Sequence, residues 1–326
     1  MKATAKAPAN IAFIKYWGKK DEKLRLPAND SISMNLSNVF TITTVEFSEK
    51  IKKDIIIMDE HKFDEKEEKR ISSHLDLIRD LARFKSFARV KTKNNFPKGS
   101  GIASSASGFA ALTMAGVAAA GLKLNEKHLS IIARQGSGSA CRSIPDGFVE
   151  WKSGTSSNNS YAHMIFPPNW WKIIDVLVIV EKKTKKVSSS EGHILTASSP
   201  FYKSRISGIK NKLTVIKKAI LDRDFEIFGT ILEGEAINMH AVMMTSTPPI
   251  FYWTPVTFEL ILTVRGWREE GILVYFTIDA GANVHLICQE KDKQKVIGCL
   301  KGMKGIKEVI LNQPAIGTRL INKHLF

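Results

Sequence analysis

The chain has 326 residues, 44% hydrophobic and 25% charged, a balance that supports a packed core and excludes disordered, collagenous and miniature disulfide-stapled classes. About two domains, or one large two-layer unit, are expected at this length, because single cores rarely grow beyond roughly 250–300 residues. Lys and Arg number 48 against 32 Asp and Glu, and the resulting +16 first suggests nucleic acid or another polyanion.

In chain order, residues 4–14 read as a strand running into a turn, with small and β-branched residues around Pro8 and Asn10. Residues 40–47 alternate β-branched and polar side chains as a strand does. Residues 64–85 carry Ile71, Leu75, Ile78, Leu81 and Ala82 near helical spacing and read as an amphipathic surface helix. A strand over 87–93 leads into a Gly/Ser loop and then an Ala-rich buried helix. A helix over 124–135 is expected with Asn125 as its N-cap, then a strand over 147–151 and a polar loop over 153–159. Residues 173–180 are almost continuously apolar, as a buried central strand requires. Helices follow around 200–219 and 224–244, a break at Thr247-Pro248-Pro249, a helix over 256–270, strands over 273–278 and 284–289, and a last helix and strand. This mixture gives an α+β fold class, with the domain join near 166–170, where Trp170-Trp171 beside Pro167-Pro168 reads as an aromatic hinge.

Cys141, Cys288 and Cys299 are too few and too scattered for a disulfide framework, which implies a reducing compartment. The N-terminus has no signal-peptide pattern, and the longest weakly polar stretch, residues 109–122, is shorter than the roughly 20 apolar residues a bilayer needs. A cytoplasmic protein without a membrane partner is expected. Three basic clusters, Lys182 to Lys186, residues 203–218 and residues 291–307, are interrupted by apolar residues at strand or helix spacing and read as solvated faces. The cluster Lys15, Lys19, Lys20, Lys23 and Arg25 sits in a Gly/Pro/Asn-punctuated segment and points to a site instead.

Three segments carry chemistry. Pro97-Lys98-Gly99-Ser100-Gly101-Ile102-Ala103-Ser104-Ser105-Ala106-Ser107-Gly108 lies between a strand and a helix, where amides and hydroxyls can cradle phosphate oxygens; it lacks the Lys of a Walker loop, and alone it is equally a ligand-free turn. Gln135-Gly136-Ser137-Gly138-Ser139-Ala140-Cys141-Arg142-Ser143 gathers hydroxyls, amides and a guanidinium able to clamp a carboxylate or phosphate, although such an Arg by itself is more often in a structural ion pair. Thr277-Ile278-Asp279-Ala280-Gly281-Ala282-Asn283 puts a carboxylate at the end of an apolar strand, where an Asp also commonly serves turn amides. Cys141 has no nearby His and reads as packing volume. The eight histidines show no zinc-ligand spacing, so no dedicated metal site is expected.

Taken together, the segments resemble a known family. Residues 7–19 (A-P-A-N-I-A-F-I-K-Y-W-G-K) and 26–33 closely resemble the start of mevalonate diphosphate decarboxylases, members of the GHMP kinase superfamily. The loop 94–108, the segment 133–143, the run 187–192, the stretch 240–252 and the turn 279–283 match the same family in the same order. The resemblance implies a two-lobed α+β GHMP-kinase-like fold: residues 1–168 form a lobe like domain 2 of ribosomal protein S5 and carry the phosphate loop. Residues 169–326 form a ferredoxin-like α/β sandwich carrying the catalytic aspartate, with a deep cleft between the lobes. It implies ATP-dependent decarboxylation of mevalonate 5-diphosphate to isopentenyl diphosphate. Asp279, Lys15 and Arg142 are then catalytic, with Asp279 on the tertiary 3-hydroxyl and Arg142 on the carboxylate. Asn10, Tyr16, Lys19, Ser137 and Ser139 contact the substrate. Pro97, Gly99, Ser100, Gly101, Ser104 and Ser105 hold ATP, with Mg²⁺ bound through its phosphates near Ser104 or Ser105. A homodimer without nucleic acid is also implied.

Relatives of this family decarboxylate mevalonate 5-phosphate with ATP, or mevalonate 3,5-bisphosphate with neither ATP nor Mg²⁺, and the residues leave these substrates open. An RNA binder remains the alternative from a different class, on the strength of the charge. Three departures from the family pattern are visible: Pro145-Asp146-Gly147 where two glycines are common, Ala282 where Pro is usual, and Val242 where a hydroxyl residue is common. The first puts a carboxylate in sequence beside the Arg142 segment.

Overall fold

The computed structural model describes residues 1–58, 63–96, 104–183 and 185–326, so the expected phosphate-loop residues Pro97, Gly99, Ser100 and Gly101 lie outside the described residues. The first part of the chain supplies strands β1 (Lys2–Ile14), β2 (Lys19–Asp21), β3 (Leu26–Pro27), β4 (Ser31–Ser48) and β5 (Ile55–Met58), helix α1 (Glu65–Ala82), strand β6 (Phe87–Asn94), helices α2 (Ser104–Ala119) and α3 (Glu126–Gly136), and strands β7 (Phe148–Trp151) and β8 (Ala162–Phe166). The second part supplies β9 (Ile173–Ile179), α4 (Ser189–Leu195), α5 (Tyr202–Asp222), α6 (Phe225–Met244), α7 (Pro255–Glu269), β10 (Val274–Thr277), β11 (Val284–Gln289), α8 (Lys293–Leu300), β12 (Glu308–Asn312) and β13 (Arg319–Ile321).

Local sequence explains several boundaries. Asp64 accepts the Glu67 N–H at 2.7 Å while Glu67 reaches back to the Asp64 amide, a reciprocal cap that starts α1. Asn125 accepts the His128 N–H at 3.0 Å and starts α3 as its sequence requires. Strand β4 is much longer than residues 40–47: its first part, Ser-Ile-Ser-Met-Asn-Leu, buries Ser31, Ser33 and Asn35, with Ser31 accepting from Arg142 and Asn35 donating to the Pro145 carbonyl. Those polar residues obscured the strand in sequence, since burial of Ser and Asn needs partners that local pattern does not reveal.

Two sheets result. The larger runs β13-β1-β4-β6-β5, with β7 and β8 continuing from the far half of β4; the smaller is antiparallel in the order β10-β11-β9-β12. Helix α2, made almost wholly of small and apolar residues, packs on the larger sheet with Ala5, Ala7 and Val45 of β1 and β4. A second apolar cluster joins the sheets: Phe13 meets Phe228 of α6 edge to face at 4.9 Å, and Trp171 meets the same ring at 5.2 Å. Trp170 stacks on Phe166 at 5.0 Å and donates its Nε1–H to the Ile220 carbonyl at 2.9 Å, so the tryptophan pair fastens the join between β8 and β9 onto α5 and α6.

The final residues return to the first sheet, where β13 pairs antiparallel with β1, Thr4 opposite Ile321. Asp146 serves that return. It accepts both Arg319 Nη2 contacts, at 2.6 and 2.7 Å, and the Gly317 N–H at 2.6 Å, so the carboxylate that sequence places beside Arg142 points to the C-terminal segment. Val242 packs with Trp17, Met243 and Tyr252 in an apolar cluster. Among the described residues, no helix is long and apolar enough to cross a membrane.

Candidate active site

Strand β1 ends at Ile14, and Lys15, Tyr16 and Trp17 continue from it into the space between the sheets before Gly18 turns the chain at φ +102°. Strand β10 ends at Thr277 two residues before Asp279, and the Gly281 N–H closes a tight turn on the Asp279 carbonyl at 2.7 Å. The two ends converge: Lys15 Nζ donates to Asp279 Oδ1 at 2.6 Å across 264 positions of sequence. His240 Nε2 lies 3.1 Å from the Asp279 carbonyl, and burial holds its ring down to about 3, so it is neutral and donates Nε2–H there.

Burial alone would raise the Asp279 carboxyl, but the Lys15 ammonium, with help from His285 and Arg142, carries it below the usual carboxylate range. Burial likewise lowers Lys15, with Asp279 opposing. The 2.6 Å contact thus works against burial on both partners, favouring the charged form of each. Beneath it, Glu235 accepts the Lys15 backbone N–H at 3.3 Å, an ion pair from Arg205 and the Lys212 ammonium at 2.8 Å. Arg205 and Lys212 belong to a basic run that spacing assigns to solvent; the structure corrects this, because both point inward to a fully buried carboxylate.

The turn Gly138–Ser143 at the end of α3 brings in Arg142, only 3% exposed. Its Nε donates to Asn10 Oδ1 at 3.1 Å and its Nη1 to Ser31 Oγ at 2.9 Å, and among the described residues Nη2 has no hydrogen-bond partner and the guanidinium forms no direct ion pair, feeling Asp279 only at longer range. A buried cation left in that state is completed by an anionic ligand. Asn10, expected to contact substrate, stands behind the guanidinium: its amide also donates to Ser143 Oγ at 2.8 Å and the Ser139 carbonyl at 3.2 Å. It orients Arg142 and does not line the cleft. Cys141 is fully buried with its thiol pushed up to about 12, which is packing and not nucleophilic chemistry.

These groups line a cleft of about 320 Å³. Tyr16, Lys19, Ser137 and Ser139 line it, and so do Ser104 and Ser105, where Ser137 Oγ lies 3.3 Å from Ser105 Oγ and ties the two Gly/Ser segments together. Gly138 is required at its position because a side chain would meet the Tyr16 ring at 2.6 Å. Lys19 also pairs with Glu22 at 2.6 Å.

Sequence reasoning missed Lys185, assigning it to a solvated face. It lines the cleft and donates to Ser189 Oγ and to the Ala280 carbonyl, both at 2.7 Å. Its position two residues before the 187–192 run was the available signal. Burial lowers its ammonium to about 8 against the pull of Asp279. It is thus charged below that pH and loses its proton above it, so inorganic pyrophosphate is expected to bind more weakly as pH rises through about 8. Calorimetric titration checks this; a Lys185→Met variant that kept the same alkaline loss would remove Lys185 as its cause.

Arg142 and Lys185, which have no ion pair among the described residues, gathered with Lys15 and Lys19 around one aspartate, define an enzyme whose substrate is a small polyanion. Comparison with known proteins narrows the class. Residues 7–162 match the diphosphomevalonate decarboxylase-like N-terminal domain and residues 175–316 the mevalonate 5-diphosphate decarboxylase C-terminal domain. The chain belongs to the diphosphomevalonate decarboxylase family. It is 35% identical to the diphosphomevalonate decarboxylase of Debaryomyces hansenii over 91% of this chain and 82% of that one. It is also 33% identical to the phosphomevalonate decarboxylase of Haloferax volcanii over 91% of each. Among solved structures, the mevalonate diphosphate decarboxylase of Staphylococcus aureus is 37% identical with a TM-score of 0.93, covering 98% of both chains. A second, 36% identical with a TM-score of 0.93 over 99% of both chains, is a complex with MVAPP, AMPPCP and magnesium. The fold is thus the GHMP-kinase-like α+β architecture expected from the motifs.

Proposed function

We propose that this protein decarboxylates a phosphorylated mevalonate, converting mevalonate 5-diphosphate to isopentenyl diphosphate and carbon dioxide with ATP and Mg²⁺. The observation that carries the reading is Arg142, a buried guanidinium whose Nη2 has no partner and which forms no direct ion pair among the described residues, beside the Lys15–Asp279 pair.

Asp279 accepts a hydrogen bond from the substrate's tertiary 3-hydroxyl and takes its proton, which an ionised carboxylate held by Lys15 can do at neutral pH. ATP with Mg²⁺ supplies the phosphoryl group that makes this oxygen a leaving group. The Ser104 and Ser105 hydroxyls, with Lys185 across the cleft, suit its phosphates. As the C3–O bond breaks, the transferred phosphate leaves with the bonding electrons and positive charge grows at C3; Asp279, once its proton has passed on to the departing phosphate, stabilises that charge electrostatically. Arg142 holds the carboxylate in line, so the C–C bonding electrons become the double bond and carbon dioxide leaves. Tyr16, Lys19, Ser137 and Ser139 hold the phosphate end. Lys15, by keeping Asp279 ionised, acts in the same step.

Carbon dioxide release from mevalonate 5-diphosphate, 5-phosphate and 3,5-bisphosphate, each with and without ATP, tests the reading. Release from the 5-diphosphate only with ATP is expected. Release from the bisphosphate without ATP, and none from the diphosphate, overturns it; release from the 5-phosphate alone selects the activity named for the Haloferax volcanii relative. A cytoplasmic homodimer belongs to the same proposal, and light scattering near twice the 36.3 kDa chain mass checks the dimer.

A further inference from the structure

One buried ionisable group in the cleft has no part in the steps above. His193, in the last turn of α4, lies between two aromatic rings, its centroid 4.2 Å from that of Tyr16 and 4.5 Å from that of Trp17. Its Nδ1 accepts the Gly18 N–H at 2.9 Å and so carries no proton. Gly18 presents that amide from a backbone conformation open mainly to glycine, and a side chain there would strike the Tyr202 hydroxyl. Burial, followed by Lys19, Arg25, Lys185 and Arg142, holds the imidazole well below the usual histidine range. The ring is neutral, and its one proton sits on Nε2. Among the described residues Nε2 has no partner, while the ring lines the cleft.

A neutral donor suits this location. Four cations already surround the ring, and a fifth would add repulsion in the empty cleft, whereas an uncharged N–H adds a hydrogen bond to an incoming anion without it. The His193 ring lies 4.2 Å from that of Tyr16, which shares the cleft wall with Lys19 and is placed on the phosphate end, whereas Arg142 is placed on the scissile carboxylate. The imidazole therefore serves the opposite end of the ligand.

We propose that His193 donates its Nε2–H to a phosphate oxygen at the 5-position end of the substrate and is a specificity-determining residue for that phosphate. The assignment rests on the phosphorylated-mevalonate reading. Two variants separate a ligand role from a structural one. His193→Asn keeps an oxygen where Nδ1 lies and can still answer Gly18, but has nothing at Nε2; His193→Gln puts an amide N–H near Nε2 and leaves Gly18 unanswered. Losing a hydrogen bond to a charged group, His193→Asn is expected to raise the KM for the phosphorylated substrate about 10- to 100-fold with kcat and the KM for ATP unchanged. His193→Gln stays closer to wild type. The reverse order, Gln worse than Asn, overturns the proposal.

The unmodified protein supplies a second readout. Nitrogen-15 NMR of histidine-labelled protein should show Nε2 protonated and Nδ1 bare, with the Nε2 proton shifting on addition of mevalonate 5-diphosphate or inorganic pyrophosphate and not of unphosphorylated mevalonate. Binding by calorimetry without that shift, or protonation on Nδ1, overturns the assignment. If neither the 5-diphosphate nor the 5-phosphate binds, the functional reading fails instead, and the pyrophosphate shift still decides whether His193 is a phosphate donor.

Discussion

Asp279→Asn is expected to lower kcat by about 10²- to 10⁴-fold, the range for losing a positioned general base, while the protein still folds. The substitution keeps the size of the side chain and an oxygen able to accept from Lys15 at the present 2.6 Å, so packing changes little. It removes the negative charge. An amide neither takes the hydroxyl proton nor stabilises positive charge at C3. It also leaves Lys15, whose buried ammonium Asp279 supports, to lose its proton more readily. The loss should fall on kcat rather than on substrate affinity, since the phosphate contacts lie elsewhere. Steady-state kinetics with a circular-dichroism melt distinguish the cases: near wild-type turnover in a folded variant would show that Asp279 has no chemical role. Because the Asp279 carboxyl is held below the usual carboxylate range, its protonation should not limit kcat until the pH falls below that range.

The largest stability effect is expected at Glu235, whose side chain and that of Arg205 are fully inaccessible. Glu235→Gln removes the only carboxylate paired with Arg205 among the described residues, leaving a buried charge uncompensated. Such a break typically costs about 3–5 kcal/mol. Arg205 has little else to turn to, as its Nε and Nη1 already lack hydrogen-bond partners among the described residues. Urea unfolding should show the loss. The double variant Glu235→Leu with Arg205→Met should be less destabilised than the sum of the two single changes, because it removes both charges together. Additive losses would mean that the ion pair is not coupled. Activity should fall as well, since Glu235 also anchors the Lys15 backbone.

Helix α1, the Asn125 cap of α3 and the apolar strand β9 were legible because they depend on neighbours three or four residues away or on simple burial. The first half of β4 was not, since its buried Ser31 answers Arg142, 111 positions later. Strand β13 was missed for a similar reason: three residues carry too little pattern, and their place is decided by β1 and by the Asp146–Arg319 contact. The charge excess divides in the same way. Lys185, Arg205 and Lys212 sit in basic runs that look like surface in one dimension, yet one reaches the cleft and two answer Glu235. Counting charges could not separate them from solvated neighbours such as Lys186 and Lys203.

By itself the sequence determined the fold class, the family and the order of the segments that meet at the cleft, because Gly/Ser loops, caps and strand-end carboxylates are local features with local physical causes. Only the tertiary structure decided which charges act. It joined Lys15 to Asp279, set Asn10 behind Arg142, turned Asp146 away from the cleft and fixed the tautomer of His193 through the Gly18 amide. Ionisation and hydrogen-bond direction depend on burial and on partners remote in sequence, and those exist only once the two sheets have come together.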